Sequence, residues 1–102
     1  MYYLNTITPG GVLTTTTQAH VPGLEQLREA VGGHIETVPY WDKVGGRPCV
    51  VFCNEEGKLE GQHVNDAATF LWRVCSKYEV DDILVGNVII VSADTVDEIG
   101  AL

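Results

Sequence analysis

The residues best suited to recognition lie together in one glycine-rich stretch. Tyr40 and Trp41 precede Gly45, Gly46 and Arg47. Aromatic and arginine side chains are enriched at the centres of binding sites. A base can also stack on such a ring while the arginine meets a phosphate. The pattern predicts a binding loop made of Tyr40, Trp41 and Arg47. The alternative, in which both rings fold back over a sheet edge and close the core, carries equal weight.

Two asparagines are further candidate binding residues, although each also has a structural explanation. Asn54 opens the run Asn-Glu-Glu-Gly-Lys, which is typical of a tight turn. Asn65 precedes Asp66 at the start of a helical pattern, where an asparagine side chain can cap the first turn. We favour the turn and the cap over ligand contact, and keep both residues as binding candidates.

Motifs for catalysis and metal binding are missing from the chain. It contains no Cys-x-x-Cys pair, His-Glu-x-x-His helix, P-loop, dinucleotide fingerprint or nucleophile elbow. Cys49 and Cys53 share one face of a predicted strand, but about 13 Å of strand separates them, which is too far for one metal ion. The carboxylates that could pair as acid and base are Glu36, Glu55, Glu56, Asp66, Asp81 and Asp82. Turns and helix ends explain them, so we predict no catalytic residue, metal or cofactor.

Charge narrows the classes of partner. The 102 residues carry 14 acidic and 6 basic side chains, a net charge of −8, and ten of the acids lie in residues 52–102. Such a surface repels nucleic-acid backbones and anionic membranes, whereas basic proteins, cations or plain solubility are compatible with it. The three cysteines suit a reducing compartment, and the Met1 end lacks a basic, apolar leader. The sequence therefore predicts a cytoplasmic protein.

Hydrophobic periodicity predicts a single α+β domain over residues 1–102, with two helices packed on a mostly antiparallel sheet. The expected elements are a hairpin or mobile segment at 1–17, helices at 23–31 and 66–77, strands at 34–38, 48–53 and 83–91, and a tail at 92–102. The last strand is almost continuously β-branched, which is typical of burial on both faces.

Two local expectations are sharper. The second helix is expected to bury a stripe formed by Ala67, Phe70, Leu71, Val74 and Cys75. Gly57 is expected to adopt a left-handed conformation in a hairpin turn, with a partner strand near Leu59.

Four blocks of this chain, in their order, resemble a known family. They are Leu-Glu-Gln-Leu-Arg-Glu-Ala-Val-Gly-Gly-His-Ile-Glu at 24–36, Asn-Glu-Glu-Gly-Lys-Leu at 54–59, Asn-Asp-Ala-Ala-Thr at 65–69 and Val-Gly-Asn-Val at 85–88. They are similar to domain-of-unknown-function family 3846, small proteins of bacteriophages, prophages and their bacterial hosts. The resemblance covers about residues 24–91 and leaves the hairpin and the tail outside. It implies a phage-associated origin and no particular activity.

Small size, acidic charge, missing catalytic motifs and this resemblance together predict a non-enzymatic phage accessory protein that acts by binding. Its expected target is a host protein in the host cytoplasm, such as an antiviral defence factor, which it inhibits. The alternative is a module that sequesters a small nucleotide signal in a pocket of Tyr40, Trp41 and Arg47. A third hypothesis is a hydrolase that depends on carboxylates. A homo-oligomer is compatible with all three.

Overall fold

Six strands and three helices make up the chain, which a computed structural model describes over residues 1–102. In chain order they are β1 (Tyr2–Ile7), β2 (Leu13–Gln18), α1 (Leu24–Val31), β3 (Ile35–Thr37), β4 (Lys43–Val44), β5 (Arg47–Asn54), α2 (Asp66–Cys75), β6 (Val88–Ala93) and α3 (Val96–Gly100). The sheet order is β2-β1-β6-β5-β3, β4 also pairs with β5, and every pair is antiparallel. The predicted α+β fold is confirmed, with one additional short helix.

Strand β6 forms the centre of the sheet. It pairs with β1 from Tyr2↔Ala93 to Ile7↔Val88, and β5 lies along its other side. All six of its residues are buried. The expected burial on both faces is confirmed, although the strand begins at Val88, five residues later than expected.

The helices cover opposite faces of the sheet. Val51 and Ile90 belong to the core cluster that contains Trp72 of α2. Their chain neighbours Phe52 and Ile89 belong to a second cluster, which contains residues of α1 and against which α3 packs. Because successive strand residues point to opposite faces, the sheet lies between α2 on one side and α1 with α3 on the other.

Local sequence signals explain the ends of α1 and α3. Gly32 has a φ of 76°, and its N–H donates to the carbonyl of Arg28 at 2.8 Å, a left-handed cap that glycine adopts without a Cβ penalty. Thr95 and Glu98 form a reciprocal capping box at α3, so the expected tail at 92–102 contains a capped helix. No helix combines the length and the apolar composition needed to cross a bilayer.

Two connecting segments differ from expectation. The stretch around Gly45 and Gly46 is a two-residue hairpin between β4 and β5, with both glycines at positive φ (55° and 80°), rather than a plain loop. Gly57 is not among the residues with positive φ, and turns rather than a strand surround Leu59. A Cβ at Gly57 would lie 2.9 Å from Cγ2 of Val85. Glycine is needed there for space, not for its backbone dihedrals.

The expected buried stripe of α2 is right for two of its five residues. The buried side chains of the helix are those of Ala68, Thr69 and Trp72, and Leu71 and Cys75 pack beside them against the core. Of the expected stripe, Ala67, Phe70 and Val74 are exposed, while Leu71 and Cys75 are half-buried. The helix also ends at Cys75, two residues early. Hydrogen bonds from Asn65 at its start and from Trp72 in its last turn hold the helix in this orientation.

Candidate binding surface

A bulge at the edge of the sheet separates β3 from β4. Before it, the N–H of Val38 donates to the carbonyl of Val51 at 2.8 Å; after it, the carbonyl of Asp42 accepts from the N–H of Cys49 at 2.9 Å. Between them, Tyr40 has a φ of 65°, the single non-glycine residue with positive φ. This conformation costs a non-glycine residue roughly 1 kcal/mol or more. The bulge points consecutive side chains in opposite directions.

The indole of Trp41 points into the core. It is 3% exposed and belongs to the cluster beneath α2. Its buried Nε1–H has no hydrogen-bond partner. Of the two alternatives for Trp41, an exposed binding residue or a core residue, the structure has the second.

Tyr40 points outward and meets a residue that the sequence analysis did not single out. Its ring packs edge-to-face on Tyr78, with 5.1 Å between centroids and 73° between the planes. Next to this pair, Lys77 Nζ lies 2.6 Å from Oδ2 of Asp42. That hydrogen bond lowers the pKa of Asp42 and raises the pKa of Lys77. A shallow cavity of about 400 Å³ lies here, lined also by Thr37.

Arg47 is engaged elsewhere. Its guanidinium carbon lies 3.8 Å from the centre of the Tyr3 ring, and its Nε is 3.6 Å from Oδ1 of Asp94. The hydroxyl of Tyr3 donates to the same carboxylate at 2.9 Å, and this hydrogen bond raises the pKa of Tyr3. The structure therefore does not bring the three predicted loop residues together: Tyr40 is on the surface, Trp41 is in the core, and Arg47 lies on the sheet outside the Tyr40 cavity.

The two candidate asparagines have their polar atoms occupied within the protein. Asn65 is fully buried; its Oδ1 accepts from the N–H of Ala68 at 3.0 Å, and its Nδ2 donates to the carbonyls of Ile7 (2.9 Å) and Gly86 (2.8 Å). The Oδ1 of Asn54 accepts from the N–H of Glu56 at 2.8 Å. Asn65 thus ties the start of α2 to β1 and to the loop before β6.

The carboxylates proposed for hydrolysis meet only in part. Glu36, Glu55 and Asp82 line a second cavity of about 190 Å³. Lys58 Nζ lies 2.6 Å from Oδ1 of Asp82, and this ion pair lowers the pKa of that carboxyl group. A general acid working near neutral pH needs the opposite shift. No group of three histidine, cysteine or carboxylate side chains is placed to hold a metal ion.

Four large and well-exposed side chains lie on the outer face of α2 and at the bulge. Phe70 (66% exposed) and Val74 (64%) are one turn apart, and Tyr78 (64%) follows the helix to meet Tyr40 (55%). We call these four residues the aromatic ridge. Trp72 joins the helix to the bulge, since its Nε1–H donates to the carbonyl of Pro39 at 2.8 Å.

Three residues of the ridge were missed because the expected stripe assigned Phe70 and Val74 to the core and because Tyr78 lies outside any motif. A signal was present in the sequence. Within ten residues, α2 carries apolar side chains on both sides, Trp72 on one and Phe70 with Val74 on the other. A helix with apolar residues on two sides can bury only one of those sides in the core of a small domain. The other side then faces solvent.

This fold and this surface define a small domain with an antiparallel sheet between helices and an exposed apolar ridge. The model of the family described as "Domain of unknown function (DUF3846)" matches residues 5–102, and the chain belongs to this family. The match takes in the β1–β2 hairpin from Asn5 onward and the C-terminal tail, which the resemblance of the four blocks left outside. Comparisons with curated proteins and with solved structures found no match.

Proposed function

We propose that this protein acts by binding: a phage-type accessory protein that docks on a host protein through the aromatic ridge and inhibits it. The observation that carries the proposal is the ridge itself, four large side chains that are each more than half exposed. Exposed apolar side chains grouped inside a polar rim are typical of interaction sites. The phage association and the host target rest on the family resemblance, which is an analogy.

The bulge supplies a second argument. Tyr40 is held in a strained backbone conformation, and such strain concentrates at functional positions. The same bulge places Tyr40 against Tyr78, so two rings are fixed before any partner arrives. Rigid aromatic side chains give contact area at a low entropic cost.

The charges beside the ridge favour a partner with a basic rim. Asp66 lies one helical turn before Phe70, and Glu79 follows Tyr78. Neither carboxylate forms an ion pair within the chain, whereas Lys77 is paired with Asp42. Arg73, beside Val74, forms no ion pair either, but its guanidinium donates to the carbonyl of Asp82 at 3.1 Å, so the unpaired side-chain charges beside the ridge are two negative and one positive. A host surface with an apolar centre and surrounding lysine or arginine would complement this arrangement.

The test is an affinity capture from host cells with three baits. These are the parent chain, the ridge variant Phe70→Ser/Tyr78→Ser, and the control Leu59→Ser, which removes a more exposed apolar residue outside the ridge (89% exposed). Quantitative mass spectrometry should find a host protein retained by the parent and the control and depleted at least tenfold by the ridge variant, about 1.4 kcal/mol. That protein, once purified, should lose activity on addition of the parent but not of the ridge variant.

The same capture experiment distinguishes a host-protein partner from the alternative hypothesis, a bound nucleotide. Small molecules released from the denatured baits would be measured by mass spectrometry and ultraviolet absorbance. A nucleotide released from the parent, with no protein depleted by the ridge variant, would contradict the proposal. Added salt should weaken a protein interface centred on aromatic rings only in part, through its charged rim, whereas a nucleotide held by cations should dissociate.

A further inference from the structure

The two edges of the sheet are built differently. The β3 edge is three residues long and is followed by the bulge at Tyr40, a device that blocks further pairing. The β2 edge runs for six residues, Leu13–Gln18, pairs with β1 at every position, and has exposed side chains along almost its whole length. Residues 11–19 contain no charged residue and no proline. The usual protections of an edge strand are therefore missing from β2.

The free backbone groups of β2 can be identified from its pairing with β1. Just beyond the strands, the N–H of Thr8 donates to the carbonyl of Val12 at 3.0 Å. In an antiparallel pair, hydrogen-bonded positions alternate, so with this register the even residues of β2 bond to β1. The N–H and C=O groups of Leu13, Thr15 and Thr17 then point away from the sheet. They are a row of donors and acceptors without a partner strand.

We propose that two copies of this chain associate through β2, in antiparallel orientation, about a two-fold axis at Thr15. In this register Thr15 meets Thr15 of the second copy, and Leu13 meets Thr17. All the outward groups are used, in about six backbone hydrogen bonds. The five-strand order of each copy continues across the axis into one sheet.

Side chains and charge favour a second copy as the occupant of this edge. With Thr15 on the axis, Thr14 lies opposite Thr16, so threonine meets threonine on both faces of the junction, a favourable cross-strand pair. The −8 chain repels its own copy in general, but residues 1–51 hold a charge of only −1 and the edge itself holds none. An approach along β2 thus brings no charged side chain of the edge strand against the other copy. The aromatic ridge is not part of this contact.

The first experiment measures molecular mass against concentration by sedimentation equilibrium, from about 1 μM to about 1 mM. We expect a monomer–dimer equilibrium for the parent chain. The variant Thr15→Pro removes the central outward N–H but no backbone hydrogen bond to β1, and an edge strand tolerates proline at such a position. It also removes the hydrogen bond from Oγ1 of Thr15 to Oδ1 of Asn5 (2.8 Å), so Thr15→Val, which removes that bond and keeps the N–H, is the matched control and should retain the dimer. The proline variant should weaken the dimer at least tenfold while circular dichroism and the thermal melt stay those of a folded chain.

A charge exchange tests the register itself. Thr14→Lys/Thr16→Lys places lysine opposite lysine across the axis and should abolish the dimer. The matched control Thr14→Lys/Thr16→Glu places lysine opposite glutamate and should retain it. A parent chain that stays monomeric up to the highest concentration would overturn the proposal and leave the edge to an extended segment of another protein. A dimer that both lysine substitutions leave intact would also overturn it.

Discussion

The two sides of α2 differ little in apolar content but very much in their surroundings. The inner side, with Ala68 and Trp72, packs into the core, while the outer side, with Phe70 and Val74, faces solvent. Two polar anchors, the hydrogen-bonding side chains of Asn65 and Trp72, determine which side is buried. Asn65 binds the first turn to β1, and Trp72 binds the last turn to the bulge. A helix with two apolar sides is thus oriented by its hydrogen bonds, and the side they leave outside becomes available for binding.

The largest expected effect on stability comes from truncating Trp72, on the inner side of α2. Trp72→Ala should lower the free energy of unfolding by about 3–5 kcal/mol, as truncation of a buried aromatic residue does. It also removes the hydrogen bond to the carbonyl of Pro39. Phe70→Ala, on the outer side of the same helix, should change it by less than about 1 kcal/mol. Urea denaturation of both variants measures this difference, and equal losses would mean that the two sides are not distinct.

A smaller effect is expected at the other anchor. Asn65→Ala removes a helix cap and two further hydrogen bonds, and should cost about 2–3 kcal/mol. The control is Asn87→Ala, since Asn87 is half-buried and makes a single hydrogen bond, to the carbonyl of Ala30 at 3.3 Å. We expect the control to cost about 1 kcal/mol. If Asn65→Ala proves as mild as its control in urea denaturation, the polar anchors do not orient the helix.

The smallest expected effect is a pH dependence of stability that arises from two thiols in the core beneath the inner side of α2. Burial raises the pKa of Cys49, which lies in the same cluster as Trp72, to about 12, and that of Cys53 to about 11, from an ordinary value near 9.0. Above pH 9 the unfolded chain releases these protons while the folded chain retains them, so stability is lost as pH rises from there towards the folded values. Below pH 9 the two thiols should add no slope.

Urea midpoints between about pH 8 and 10.5 test this, within the range where the unfolded thiol ionises. The stability of the parent should fall more steeply with pH than that of Cys49→Ala, because the variant has only one of the two buried thiols. A substitution on the outer side, Val74→Ala, should leave the slope unchanged. Identical slopes for the parent and Cys49→Ala would mean that the thiol is not desolvated in the core.

Much of the fold could be predicted because its signals are local. The cap at Gly32, the helix start at Asn65 and the β-branched run of β6 each depend on a few adjacent residues. Gly57 shows the limit of this reasoning. Glycine suits both a left-handed turn and a crowded position, and only the approach of Val85, far along the chain, distinguishes them.

The candidate site was predicted less well, for a related reason. The aromatic and arginine residues of one stretch were expected to act together, and of these only Tyr40 is part of the ridge. Whether a ring of this stretch points in or out depends on how β3 and β4 pair with β5, which is a tertiary property. The contact of Tyr40 with Tyr78 joins residues that no periodicity connects.

The central position of β6 has a consequence for synthesis. Both β1 and β5 pair with it, yet it is the last strand to leave the ribosome. A nascent chain without residues 88–93 has no strand to join its N-terminal hairpin to β5, so its core cannot close. The sheet can then close only after β6 has left the ribosome, as expected where contacts are distant in sequence. Until then, the apolar strands would be exposed to chaperones and to aggregation.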